Sequence, residues 1–208
     1  PTGWTVTDDP QHLPSHPGSF THDYEGTPAQ AVSLVTDGIV RTVLMNRVPR
    51  RGIAGTNGHA RGMPGDRSSA RASLMEVAPG KRLSPKKLDK AAFKAANSYG
   101  RDWVFEISRL VEPAVHSLEG GGGFFLFGGN DDDAQLPPPL VIQRRYADGR
   151  SEPVRGLRFA DVQRFVLRDI VAAGAQNESD FLVSATASSG GLGPTTGMPC
   201  HMSAPTVL

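Results

Sequence analysis

Prolines and glycines punctuate this chain so often that few stretches can hold a helix, and that spacing decides most of what it can fold into. There are 24 glycines and 17 prolines among 208 residues. Proline removes a backbone donor and blocks a helix interior. Residues 1–30 are the extreme case: Pro1, Pro10, Pro14, Pro17 and Pro28 exclude a helix of any length, and Asp8-Asp9-Pro10 reads as a turn. Such a pattern predicts short strands joined by turns rather than a bundle.

The strands are read from apolar runs bounded by turn residues. Ala31–Val35 and Ile39–Met45 read as a hairpin closed by Asp37-Gly38, which supplies the left-handed position of a tight turn. The second run is apolar on both faces, so it is expected to be central and buried. Ser73–Val77, Trp103–Val111, Phe124–Phe127, Phe181–Thr186 and Ala204–Leu208 are further strands, and Leu140–Tyr146 pairs with Glu152–Arg155 across Asp148-Gly149. An arginine- and glycine-rich loop covers residues 48–72. Two helices break the pattern. Ser84-Pro85 opens the first, with Leu88, Ala91, Ala92 and Ala95 on one face. The second spans Asp161 to Ala173 and is closed by Gly174. The expected fold class is α+β: a mainly antiparallel sheet with two packing helices, in one domain over residues 1–208.

Charge and cysteine content narrow the partners. The 22 basic and 21 acidic residues leave a formal charge of +1, which gives no footprint for nucleic acid or an anionic membrane. One cysteine, Cys200, allows no intrachain disulfide and makes the cytoplasm the expected setting. No apolar run approaches the roughly 20 residues needed to span a bilayer, and no signal peptide is visible. The sequence starts at Pro1 without methionine and stops on an apolar, strand-like run, which fits a piece cut from a longer chain.

Several groups carry chemistry on paper. Asp23 and Glu25, two apart in an extended turn, point the same way and suit an acid/base pair, metal ligands or turn hydrogen bonding ahead of Gly26, and they are candidates for a substrate cleft or subunit interface. His12 and His16 have the i, i+4 spacing of a helical metal site, but Pro14 between them denies the helix, and with His22 they read as a solvated loop. Asp131 to Asp133 lack an EF-hand's later glutamate. Gly120–Gly123 and Ser188–Gly197 lack the Gly-Lys-Ser/Thr ending of a phosphate loop. Cys200-His201 offers a thiol nucleophile beside a base, but neighbours on a strand face opposite ways, so a structural cysteine is preferred, with Cys200 and His201 each kept as a candidate metal ligand. In Asn57-Gly58-His59-Ala60-Arg61 the glycine supports a special backbone conformation, and Asn57, His59 and Arg61 are candidates for a substrate cleft or subunit interface.

The order of these segments resembles one family. Thr7-Asp8-Asp9-Pro10, Gly18-Ser19-Phe20, Asp23-Tyr24-Glu25-Gly26-Thr27-Pro28-Ala29-Gln30, Leu34 to Val40, Leu44-Met45-Asn46-Arg47, Asn57 to Arg61, Pro153-Val154-Arg155-Gly156, Asp169 to Gly174 and Ser203-Ala204-Pro205-Thr206 together look like the C-terminal domain of the TldD/PmbA family, metallopeptidase-related proteins also called modulators of DNA gyrase. The similarity is strongest over residues 7–62 and 153–174. It implies an N-terminal domain upstream and a zinc-binding His-Glu-x-x-x-His helix ahead of the Asp-Asp-Pro turn, neither of which this sequence contains. Active members add a cysteine in the glycine-rich segment before the last strand. That position falls near Gly190–Leu192, which has none, and Cys200 lies later.

What the resemblance implies is a zinc metallopeptidase of cytoplasmic peptide or protein cleavage, incomplete without upstream residues. Zinc is expected for the complete enzyme and not for this chain alone. The expected partners are the missing N-terminal segment or a homologous subunit in a homo- or heterodimer, and a peptide substrate. The alternative is a catalytically silent partner subunit or scaffold.

Overall fold

The computed structural model describes residues 2–49, 51–53, 55–62, 68–111, 138–159, 167–185 and 197–208. Phe124–Phe127, the Gly120–Gly123 run, Asp131 to Asp133 and most of Ser188–Gly197 lie outside them. The chain divides into two compact units: Pro1–Arg82 with Ala173–Val207, and Leu83–Ala172 with Leu208.

The first unit is built on a six-stranded sheet. Its strands are β1 (Thr5–Asp8), β2 (Val32–Thr36), β3 (Ile39–Val40), β6 (Leu74–Ala78), β10 (Ala173–Ala185) and β11 (Gly197–Val207), and β4 (Ala60–Arg61) pairs with β5 (Ser69–Ala70) beside it. The order across the sheet is β10-β11-β6-β1-β2-β3. Neighbours run antiparallel except β11 and β6, which are parallel, with His201 opposite Leu74. A parallel pair needs a long connection, and here almost the whole second unit intervenes between the two strands.

The β2–β3 hairpin forms as its turn chemistry requires. Asp37 and Gly38 take φ of 54° and 74°, and the tip is tied back by Gly3 N donating to Asp37 Oδ1 (2.6 Å) and Gly38 N donating to Trp4 O (2.8 Å). The second run is not the buried central strand that its apolar faces suggest. Only Ile39 and Val40 pair, at the sheet edge, and they are 54% and 70% exposed. Beyond them Met45 N is taken by the Asn57 side chain (2.7 Å), which draws the chain off the ladder. Residues 1–30 also hold a strand, β1, which the proline count had assigned to loop.

The second unit contains α1 (Pro85–Ser98) and a three-stranded antiparallel sheet of β7 (Trp103–Leu110), β8 (Pro139–Tyr146) and β9 (Ser151–Val154). Pro85 sits in the first turn of α1, and Lys87 N and Leu88 N donate to Ser84 O, both at 2.9 Å. Gly100, at φ 68°, carries the chain out of the helix. Arg145 holds Asp89 of α1 and Glu106 of β7 from one side chain, each at 2.9 Å. Trp103, Phe105 and Ile107 share a face, opposite Tyr146, Arg144 and Ile142.

The α+β expectation with two packing helices is overturned: strands dominate and α1 is the one α-helix among the described residues. Even α1 has no fully buried residue. The supposed second helix lies partly outside the described residues, at 160–166. Where the description resumes, Leu167 and Arg168 form a 3₁₀ turn, and Ala173 and Gly174 are buried in β10. Residues 169–172 are irregular, and β10 begins at Ala173, which pairs with Val207.

Candidate functional site

The sequence candidates converge on the first unit, whose interior is unusually polar. Asp8, Asp23, Thr27, Asn46, His59, Arg61 and Ser73 are all buried. A buried polar group needs a hydrogen-bond partner, and those partners define three linked centres.

Asp23 closes the first turn. Its Oδ1 accepts from Glu25 N (2.9 Å) and Thr27 N (2.8 Å), and its Oδ2 accepts from Ala60 N (3.0 Å). Gly26 N donates to Asp23 O, and φ at Gly26 is 74°. One carboxylate therefore shapes the turn and pins β4 to it. Glu25 works beside it: Oε2 accepts from Arg47 N (2.7 Å) and Oε1 from Ser68 Oγ (2.5 Å). Asp23 and Glu25 thus diverge, each holding a different loop.

Asp8 and His59 form the second centre. Both side chains are fully buried, with His59 Nε2 3.2 Å from Asp8 Oδ1. Ser73 N donates to Asp8 Oδ2 (2.8 Å), and the Ser73 hydroxyl donates to Asp8 Oδ1. Burial alone pushes the Asp8 carboxyl up; the hydrogen bonds from His59 and Ser73, with the nearby imidazole, outweigh it and set the group below the ordinary carboxylate value. On its other side, His59 Nδ1 faces Asn57 O (3.0 Å) and Asn57 Oδ1 (3.1 Å). The Asn57 amide orientation is fixed by its neighbours, since Oδ1 accepts from Met45 N and Nδ2 donates to Val43 O (2.9 Å). The carboxylate sits between the serine hydroxyl and the imidazole. His59 is therefore not placed to take a proton from Ser73, and this is not a nucleophile relay.

Arg61 is the third centre, at 2% exposure. Its two terminal nitrogens donate to Ala72 O (2.7 Å) and Pro199 O (2.8 Å), and the guanidinium lies 5.2 Å from the Phe20 ring centroid. Among the described residues Nε finds no hydrogen-bond partner. Burial lowers the guanidinium's proton affinity, partly offset by Cys200, Tyr24 and Asp8. Arg61 links β4 to β11 across the interior. The side chains of His59 and Arg61 both face inward rather than toward a ligand.

Gly58 makes this convergence possible. It has φ 71°, and a Cβ there would lie 2.3 Å from Pro28 O, so only glycine lets the 57–61 segment pass the 23–29 turn.

The remaining candidates lie apart from these centres. Cys200 is buried and opposite Leu182, while the adjacent His201 meets the ring of His16 at 5.1 Å. His16 Nδ1 accepts from Gly18 N (2.9 Å), and burial and His201 hold it below the ordinary imidazole range. His12 and His22 are exposed. Among the described residues no three His, Cys, Asp or Glu side chains are placed to hold a metal ion. Asp8, Asp23, Glu25 and His59 are engaged in structural hydrogen bonds, and Cys200 and His201 belong to no group of three ligating side chains, so the described residues do not fit a zinc site. No helix of the described residues is long and apolar enough to cross a membrane.

Asp8, Ser73 and Phe20 were not singled out from the sequence. The Asp8-Asp9-Pro10 turn offers no local sign that its first carboxylate is buried, because its partners His59 and Ser73 lie 51 and 65 residues away.

Residues 1–94 match the family model described as the PmbA/TldA metallopeptidase C-terminal domain. Among solved structures the chain is similar to TldE from Thermococcus kodakarensis, at 14% identity and a TM-score of 0.49, over 99% of this chain and 38% of that one. This chain thus spans well under half the length of TldE. No curated protein matches.

Proposed function

From a chain that carries a C-terminal domain of the TldD/PmbA family over residues 1–94, we propose that it serves as the substrate-holding part of a cytoplasmic zinc metallopeptidase whose metal ligands come from outside this chain. When bound, the zinc would polarise the scissile carbonyl and activate water; the described residues of this chain hold peptide and shape the cleft. The observation that carries the reading is the edge of the six-stranded sheet. Ile39 and Val40 are more than half exposed on β3, the last strand of that sheet among the described residues. An extended peptide adds to such an edge through main-chain hydrogen bonds, with side-chain pockets supplying preference. The buried centres keep that edge in place. Asp23 and Glu25 hold the turn ahead of β2 and the loop after β3, and Asn57 holds the chain leaving β3.

The exposed apolar edge also suits a second subunit, which favours the silent-partner reading of a dimer as the alternative. One experiment separates them. A photo-crosslinker replacing Val40 in the full-length protein, zinc-loaded and mixed with an unfolded peptide, should label the peptide, and Val40→Pro should raise KM for its cleavage. Labelling of a partner subunit instead, with zinc and cleavage confined to that subunit, would establish the silent partner and overturn the first reading.

A further inference from the structure

Asn57-Gly58 is the one Asn-Gly step in the sequence. In an unconstrained chain this step is chemically labile. The Gly58 nitrogen attacks Asn57 Cγ, ammonia leaves, and water opens the resulting succinimide to aspartate or isoaspartate. Glycine has no side chain to hinder the attack.

The fold engages both reacting groups in other hydrogen bonds. Asn57 Oδ1 accepts from Met45 N (2.7 Å) and faces His59 Nδ1 (3.1 Å), and Nδ2 donates to Val43 O (2.9 Å). The Gly58 nitrogen, the nucleophile, donates to Thr56 Oγ1 (3.2 Å). Its Cα is wedged against Pro28, where even a methyl group would sit 2.3 Å from the carbonyl oxygen. Turning Cγ toward the Gly58 nitrogen would release every side-chain contact of Asn57, and the wedged backbone cannot swing to meet it.

We propose that Asn57 is a conformationally gated deamidation site, intact while the fold is closed and converted once the 43–59 segment opens. The balance is simple. The Cγ–N bond to the side-chain nitrogen breaks and ammonia leaves with the Gly58 amide proton. The Gly58 N–Cγ bond forms, and one water hydrolyses the ring. No oxidant or cofactor takes part. The product does not close again. Aspartate at 57 sets a carboxylate oxygen against Val43 O and removes that carbonyl's donor. Isoaspartate adds a backbone carbon where Pro28 leaves no room. Opening of this segment thus becomes irreversible through chemistry on the opened state.

The test incubates the chain at mildly alkaline pH with and without urea and maps the 57–58 peptide by mass spectrometry, with isoaspartate scored by enzymatic methylation. Conversion should be at least about tenfold slower in the folded chain, because reaction requires opening. Chains converted in urea should not recover the folded state on dilution, and Asn57→Asp should unfold at lower urea than the wild type. Equal rates with and without urea would overturn the gating. Deamidated chains, or Asn57→Asp, that refold with wild-type stability would overturn the irreversibility. The rate comparison uses only the wild type, so it stands even where Asn57→Asp does not fold.

Discussion

Replacing Asp23 tests the account of the interior most directly. Its carboxylate satisfies three backbone amides, and two of them, Thr27 N and Ala60 N, belong to buried residues. Asp23→Ala orphans both. Each buried unsatisfied donor costs about 1–3 kcal/mol, so the loss should be about 2–6 kcal/mol, a large share of the ~5–15 kcal/mol that holds a typical domain together. Asp23→Asn keeps an oxygen toward Glu25 and Thr27 but turns its NH₂ toward Ala60 N, so it loses about 1–3 kcal/mol. Urea unfolding followed through Trp4, in a Trp103→Phe background that silences the second unit, gives both numbers at constant m-value. The expected order is wild type, then Asn, then Ala. A loss below about 1 kcal/mol for Asp23→Ala would mean that water replaces the carboxylate and would refute the reasoning.

Three other perturbations follow from the same geometry. Gly58→Ala, at φ 71° and against Pro28 O, should cost more than about 2 kcal/mol in the same urea assay. Asp8 titrates below its ordinary value in the fold. Its contribution is therefore fully present above the unfolded carboxyl range and is lost as pH falls below about 4 and through the folded value, so the urea midpoint of Asp8→Asn should fall less steeply with acid than that of the wild type. Arg61→Lys cannot reach both Ala72 O and Pro199 O, and should lower stability by about 1–3 kcal/mol; Arg61→Met, which donates to neither carbonyl, should lose more.

The sequence was most legible where structure is local. Asp37-Gly38 and Asp148-Gly149 marked two hairpins, and Ser84-Pro85 marked the start of α1. It was least legible where distant segments decide. Nothing within the expected helix reveals that its last residue, Ala173, will open a strand opposite Val207. Ile39–Met45 carried the hydrophobicity of a central strand, but sheet order depends on β1 and β6, far off in sequence, and leaves β3 at the edge. Asp23 and Glu25 were visible as a turn with two carboxylates. Their engagement with Ala60, Arg47 and Ser68 was not, because those partners arrive from later segments.

The parallel pairing of β11 with β6 sets a timetable for synthesis. β6 is made before its neighbour β11, with the whole of Leu83–Ala172 between them. Until then one flank of β6 has no strand beside it, and Arg61 lacks the Pro199 carbonyl 138 residues downstream. The nascent chain thus carries an unfinished sheet until β11 has been made.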